Sequence, residues 1–112
     1  MKRFCLTLNL KNDPDLISQY EEHHQKVWPG IIESIRDSGI EQMEIYRHDT
    51  RLFMIMEVNE DFSFEKKAVA DRINKTVQEW EQLMWVYQEP LKEAAKGEKW
   101  ILMKQIFDLN DF

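Results

Sequence analysis

The segment that decides the fold is residues 52–58, which read LFMIMEV. Such a short, continuously apolar run is typical of a strand in the centre of a sheet. Residues 42–48, with the sequence QMEIYRH, predict a second strand, and the polar residues 48–51 between the two form a tight turn. A connection this short predicts an antiparallel hairpin.

On the N-terminal side of the hairpin, the sequence predicts one strand and one long helix. Residues 3–9 alternate loosely between apolar and polar side chains, which favours a strand. Asp13 is a good helix N-cap and Pro14 suits the first helical position. We expect the helix to cover residues 14–37, with a kink at Pro29-Gly30, because proline removes a backbone donor and crowds the preceding turn.

On the C-terminal side, the sequence predicts two helices and one strand. A short helix covers residues 62–71, and a longer one covers residues 73–86, which Glu89-Pro90 stops. A charged connector follows at residues 91–97. The last strand is expected at residues 100–107, WILMKQIF, before a short tail.

The resulting order of elements is β-α-β-β-α-β with the second helical region split in two. This order predicts an α+β, ferredoxin-like fold with a four-stranded antiparallel sheet and helices on one face. The length of 112 residues predicts a single domain over residues 1–112. Because a sheet this apolar should not leave its second face in water, we expect a homodimer of the dimeric α+β barrel type, packed sheet to sheet.

Composition argues against several classes of function. A net charge of −6 opposes nucleic acid as the main partner, since phosphate binding needs a basic face. Residues 1–6 lack the long apolar segment of a secretory signal, and no apolar run is long enough for a bilayer span. The single cysteine, Cys5, cannot form an internal disulfide. These features together predict a cytoplasmic protein with no membrane partner.

The most unusual pattern in the chain is the placement of Tyr20, His24 and Trp28 four residues apart. On a helix they share one face, so a phenol, an imidazole and an indole form one stripe. A group that titrates near neutrality between two aromatic walls suits a small polar substrate with apolar faces, such as a sugar. Ordinary packing at the edge of the core is the alternative interpretation of the stripe.

Other chemistries lack their sequence signatures. No spacing of His, Cys or carboxylates matches a zinc or di-iron site, so no metal is expected. Three glycines cannot supply a nucleotide-binding fingerprint, and we expect no cofactor. His24 then remains as the candidate acid–base group, with Tyr20 beside it and Tyr46 reaching the same cavity from the sheet. Trp80 and Met84, one turn apart, could form an apolar wall, although a core role for Trp80 is equally compatible with the spacing.

At these residues the chain resembles the L-rhamnose mutarotases and the related type 2 L-fucose mutarotases. The resemblance rests on Tyr20-x-x-x-His24-x-x-x-Trp28-Pro29 and on Gln78-x-Trp80-x-x-x-Met84, and it covers nearly the whole chain. It implies a dimeric ferredoxin-like enzyme that interconverts the α and β anomers of a 6-deoxyhexose without metal or nucleotide.

The resemblance also implies roles for individual residues. His24 and Tyr20 correspond to the catalytic histidine and tyrosine of the family. Trp80 corresponds to a substrate-contacting tryptophan, and Trp28 to the family's Trp-Pro pair. Two positions depart from the rhamnose pattern, because Met43 and Glu81 stand where aromatic residues are common. These departures extend the expected substrates to L-fucose and other deoxyhexoses.

Two other classes of protein share parts of this pattern. The βαββαβ order also occurs in cofactor-independent monooxygenases and haem-binding proteins of the dimeric α+β barrel type, in which His24 would be an axial ligand. A sugar-binding dimer without turnover would use Tyr20 and the tryptophans but need no proton transfer.

Overall fold

The computed structural model describes residues 2–112. The main elements follow in chain order: β1 Lys2–Leu10, α1 Pro14–His23, α2 Pro29–Asp37, β2 Ile40–His48, β3 Arg51–Val58, α3 Phe64–Ile73, α4 Lys75–Trp85, β4 Gln88–Glu89 and β5 Ile101–Leu102. A 3-10 turn at Leu109–Asp111 completes the chain.

The sheet is antiparallel, in the order β2-β3-β1-β4, with β5 also pairing with β1. The predicted hairpin and the central position of β3 are therefore confirmed, since β3 pairs with β1 on one side and β2 on the other. This is the ferredoxin-like α+β arrangement that the order of elements predicted.

The helices cover one face of the sheet. Alternate side chains of β3 are buried in the hydrophobic core, namely Leu52, Met54, Met56 and Val58. The intervening Phe53, Ile55 and Glu57 are only half-buried. Successive side chains of a strand point to opposite faces, so the half-buried set marks the sheet face away from the helices.

The helix predicted over residues 14–37, with a kink at Pro29-Gly30 between two halves, is divided completely in the structure into two separate helices. Asp13 caps α1 as expected, accepting from the backbone N–H groups of Asp15 and Leu16. The helix ends at His23, and α2 starts afresh with Pro29 as its first residue. Trp28 adopts an extended ψ of 135°, because a residue that precedes proline is driven out of the helical region.

The predicted final strand over residues 100–107 is also largely wrong. The position beside β1 is shared by two short strands, with β4 opposite Asn9 and Leu10 and β5 opposite Leu6 and Thr7. Pro90 directly follows β4 and has no N–H to donate, which ends the first of these strands. The Met103 N–H still donates to the Cys5 carbonyl of β1, but residues 104–107 lie outside the sheet, and Ile106 is 90% exposed. The apolar pattern of this segment predicts buried side chains, but in the single chain they are exposed.

Candidate active site

A hollow of about 650 Å³ lies between the helices and the face of the sheet that they cover. Its inner part is bounded by side chains from four parts of the fold. These are Tyr20 and His24 at the end of α1, Ile45 and Met54 of the sheet, Trp80 and Met84 of α4, and Gln88 of β4. We refer to this space as the cavity.

His24 is held by an exchange of hydrogen bonds at the end of α1. Its backbone N–H donates to the Glu21 carbonyl at 3.1 Å rather than continuing the regular helical pattern. The Tyr20 carbonyl accepts instead from the His24 side chain, whose Nδ1 lies 2.8 Å away. Because a carbonyl can only accept, Nδ1 carries the proton in the neutral ring, and Nε2 keeps a free lone pair.

Burial keeps this imidazole neutral. Loss of hydration lowers the pKa of His24 from the ordinary value of 6.5, the Tyr20 carbonyl opposes this change, and the neighbouring His23 adds to it. At neutral pH the side chain therefore presents the Nε2 lone pair as a proton acceptor.

Tyr20 supplies the complementary group. Its side chain is 4% exposed, and its ring centroid lies 4.4 Å from that of His24. Burial raises the pKa of Tyr20 to about 12, even though a hydrogen bond from Gln88 acts in the opposite direction. Gln88 Nε2 donates to Tyr20 Oη at 3.2 Å, so the phenolic proton remains available for another acceptor.

Trp80 and Met84 form an apolar wall of the cavity, as their spacing allowed. Both are buried on α4, and the Trp80 ring packs edge-to-face against His24 at a centroid distance of 5.8 Å. Trp28 packs edge-to-face behind Trp80 at 5.1 Å and does not line the cavity. It therefore supports the wall from behind.

Tyr46 is not brought to the cavity. It pairs with Phe53 across the sheet, whereas its neighbour Ile45 pairs with the buried Met54. Strand alternation thus places the Tyr46 side chain on the face away from the helices, where its hydroxyl donates to Glu44 at 3.1 Å. It also borders a smaller hollow of about 390 Å³ beside the end of α1, which Tyr20 and His24 line as well.

His23 occupies a different environment from His24. The Tyr87 hydroxyl donates to Gln19 at 3.3 Å, so it accepts from His23 Nε2 at 3.0 Å. The His23 ring also lies edge-on to Trp80, with a centroid distance of 6.4 Å. His23 does not line the cavity, and its contacts indicate a role in positioning Trp80.

Gln88 and Glu81 are polar cavity residues for which the sequence alone predicts no role in the site. Gln88 is buried and bonded to Tyr20, and Glu81 lies beside Trp80 with its carboxylate 2.8 Å from Lys99 Nζ. The Glu81–Lys99 pair fastens the segment after β4 to α4. No spacing motif marks Gln88, because its burial depends on the pairing of β4 with the distant β1.

Within residues 2–112, no three His, Cys, Asp or Glu side chains are close enough to hold a metal ion. In the same part of the chain, no helix is long and apolar enough to cross a membrane.

We predict that the His24 ring titrates with a midpoint below 6.5 and carries its neutral-state proton on Nδ1, because burial disfavours the cation and the Tyr20 carbonyl orients the ring. Long-range ¹H–¹⁵N NMR across a pH series measures both properties. The unfolded chain takes up this proton at a higher pH than the folded one, so His24 should lower stability as the pH falls through about 6.5. An Nε2–H tautomer, or a midpoint above 6.5, would contradict the assignment.

Three comparisons place this architecture among known proteins. The family model for L-rhamnose mutarotase matches residues 3–109. An L-fucose mutarotase of Xanthomonas campestris pv. campestris is 42% identical over 99% of this chain and 90% of its own length. A UPF0734 protein of Dictyostelium discoideum is 31% identical over 99% of this chain and 92% of its own length.

A crystal structure of an L-rhamnose mutarotase from Formosa agariphila superimposes with a TM-score of 0.72, covers 97% of this chain and 99% of its own, and is 18% identical. That likeness supports the fold. Together with the match of the family model over residues 3–109, the sequence relatives establish that this chain belongs to the L-rhamnose mutarotase family.

Proposed function

We propose that the protein is an aldose mutarotase, an isomerase that interconverts the α and β anomers of a 6-deoxyhexose such as L-rhamnose or L-fucose. The observation that carries this proposal is the pair of complementary groups in one cavity. His24 is a neutral imidazole with a free Nε2, and Tyr20 is a protonated phenol beside it. Membership of the L-rhamnose mutarotase family supports anomer interconversion as the reaction that this pair would assist.

Anomer exchange needs one proton acceptor and one proton donor at the same moment. In our proposal, His24 Nε2 takes the proton of the anomeric hydroxyl while Tyr20 gives its proton to the ring oxygen. The bond between the anomeric carbon and the ring oxygen breaks, which leaves the open-chain aldehyde. Acid–base assistance of this kind typically contributes about 10²–10⁴-fold to a rate.

The return steps use the same two groups in the opposite sense. Rotation about the bond next to the carbonyl exposes its other face to the hydroxyl formed from the ring oxygen. As that oxygen closes the ring, its proton returns to Tyr20, and the imidazolium of His24 protonates the new anomeric oxygen. Both side chains finish in their starting protonation states, and no cofactor is consumed.

The apolar wall orients the sugar in this scheme. Trp80 and Met84 offer a flat, buried surface to the C–H face of a pyranose, and Trp28 keeps the Trp80 ring in place. In this scheme the anomeric centre lies beside Tyr20 and His24.

We favour L-fucose as the first sugar to test, because the relative at 42% identity is named an L-fucose mutarotase. L-rhamnose is the second, from the description of the family model. We further propose that residues 1–112 form one catalytic domain and that it works in the cytoplasm, where a chain with one cysteine needs no disulfide.

We also propose a homodimer that packs through the sheet faces. Cys5, Phe53 and Ile55 are half-buried on the face away from the helices, and Tyr46 there is 53% exposed. The C-terminal segment adds apolar surface, with Phe107 64% and Phe112 93% exposed. Apolar surface of this extent is typical of an interface, and a second copy would cover both regions.

His24→Gln should fold but lose nearly all acceleration of anomer exchange, because a carboxamide cannot accept and return a proton. Saturation-transfer NMR on L-fucose and L-rhamnose measures the exchange rate above the spontaneous background. The matched control is His48→Gln, which removes an exposed histidine at the end of β2 and should retain full activity. Full activity in His24→Gln would refute the role of His24, and sugar binding by the wild type without faster exchange would indicate a binding protein.

Ile55→Asp should convert a dimer to a monomer, because it places a charge in the centre of the apolar face. Sedimentation velocity should give about twice the 13.6 kDa chain mass for the wild type and the chain mass for the variant. The control is Val69→Asp, an exposed residue of α3, which should remain dimeric. A monomeric wild type would rule out this interface, and far-UV circular dichroism shows whether each variant is folded.

A further inference from the structure

Gln88 carries a buried hydrogen-bond acceptor that the fold leaves without a partner. The residue is 4% exposed, and its Nε2 donates to Tyr20 Oη at 3.2 Å. Its Oε1 is fully buried and accepts no hydrogen bond from any group of residues 2–112. Buried polar groups are nearly always paired, because an unpaired one forfeits its hydration without compensation.

The position of this oxygen is fixed by the fold. Gln88 belongs to β4 and pairs with Leu10, a fully buried residue of the helix-facing side of β1. The bond from Nε2 to Tyr20 then sets the plane of the carboxamide. With one end of the amide anchored, Oε1 cannot turn to solvent without breaking the contact with Tyr20.

The side chain of Gln88 borders the cavity. Gln88 lines it together with Tyr20, His24 and Met84. A carboxamide oxygen accepts hydrogen bonds from hydroxyl and N–H donors. A pyranose brings several hydroxyl donors into this space, of which the reaction uses only the anomeric one.

We propose that Gln88 Oε1 accepts a hydrogen bond from one non-reacting hydroxyl of the sugar, which makes Gln88 a specificity-determining residue. This inference rests on the proposed mutarotase function. It assigns the two ends of one amide to different partners, with Nε2 on the proton donor Tyr20 and Oε1 on the substrate. The position of the bound sugar is thereby fixed relative to the phenol that protonates its ring oxygen.

The expected consequence is discrimination between sugars. A site that places a buried acceptor opposite a hydroxyl disfavours the analogue that lacks it, because the acceptor is then left unpaired again. For one neutral hydrogen bond, we expect a loss of about tenfold in kcat/KM, the change that corresponds to about 1.4 kcal/mol.

The test combines one variant with substrates that each lack one hydroxyl. Gln88→Met keeps an unbranched side chain of similar length but removes both polar ends. Exchange rates are measured by saturation-transfer NMR for L-fucose and for its 2-deoxy, 3-deoxy and 4-deoxy analogues, with wild type and variant. In the wild type, we expect kcat/KM for one analogue to be about tenfold below that for L-fucose. In Gln88→Met, the same difference should be less than about twofold. The other analogues should show the same ratio in both proteins.

Equal ratios for every analogue in wild type and variant would overturn the proposal and leave Gln88 as a support for Tyr20 alone. If Gln88→Met does not fold, the wild type decides through the ¹³Cδ resonance of Gln88. That resonance should move downfield with L-fucose and stay unchanged with the one analogue that lacks the bonded hydroxyl. No change with L-fucose would refute the bond.

These outcomes are separate from a failure of the mutarotase function. A wild type that binds L-fucose through Gln88 but does not accelerate exchange would refute the function and retain the contact. A wild type that accelerates exchange with no response at Gln88 would refute the contact and retain the function.

Discussion

The hydrogen bond between His24 Nδ1 and the Tyr20 carbonyl is the contact on which the rest of the site depends. It exists because α1 stops at His23, so the His24 backbone N–H turns to Glu21 and releases the Tyr20 carbonyl. Carbonyls at the end of a helix need a new partner, and here the partner is the imidazole of the candidate base. One bond therefore satisfies the helix end, selects the tautomer and holds the two candidate acid–base side chains together.

The surroundings of this bond shift the pKa values of the two titrating groups in opposite directions. Burial lowers the pKa of the imidazole and raises that of the phenol, because in each case it disfavours the charged form. The same apolar surroundings thus maintain an acceptor and a donor side by side at neutral pH. Trp80 contributes to the burial of His24, since it packs against that ring and itself contacts Trp28 and His23.

The fold and the centre of the site could be predicted from local patterns. The apolar run of β3, the Asp13 cap and the four-residue spacing of Tyr20 and His24 are short-range features that survive in the structure. Sequence could also place Trp80 and Met84 on one face of α4, because helical periodicity fixes that relation.

Two kinds of feature escape local patterns: those with two local solutions and those that depend on long-range pairing. Proline inside a helical pattern predicts a kink at Pro29, although a proline can equally well begin a new helix, as it does here. The apolar residues near the C-terminus predict a long last strand, but β1 offers only short stretches of pairing to β4 and β5. Gln88 becomes a cavity residue only through that pairing. The side of the sheet on which Tyr46 lies follows from the strand register, which places it on the face opposite to Ile45.

If a neutral imidazole takes the first proton, as we propose, the pH dependence of kcat/KM for anomer exchange should reveal it. With the spontaneous rate subtracted, we expect a plateau from about pH 7 to about pH 9. An acid limb should appear only below pH 6.5, where His24 becomes protonated. A rate that instead falls as the pH rises through neutrality would show that the imidazolium is the active form, and would contradict the assignment of His24 as the base.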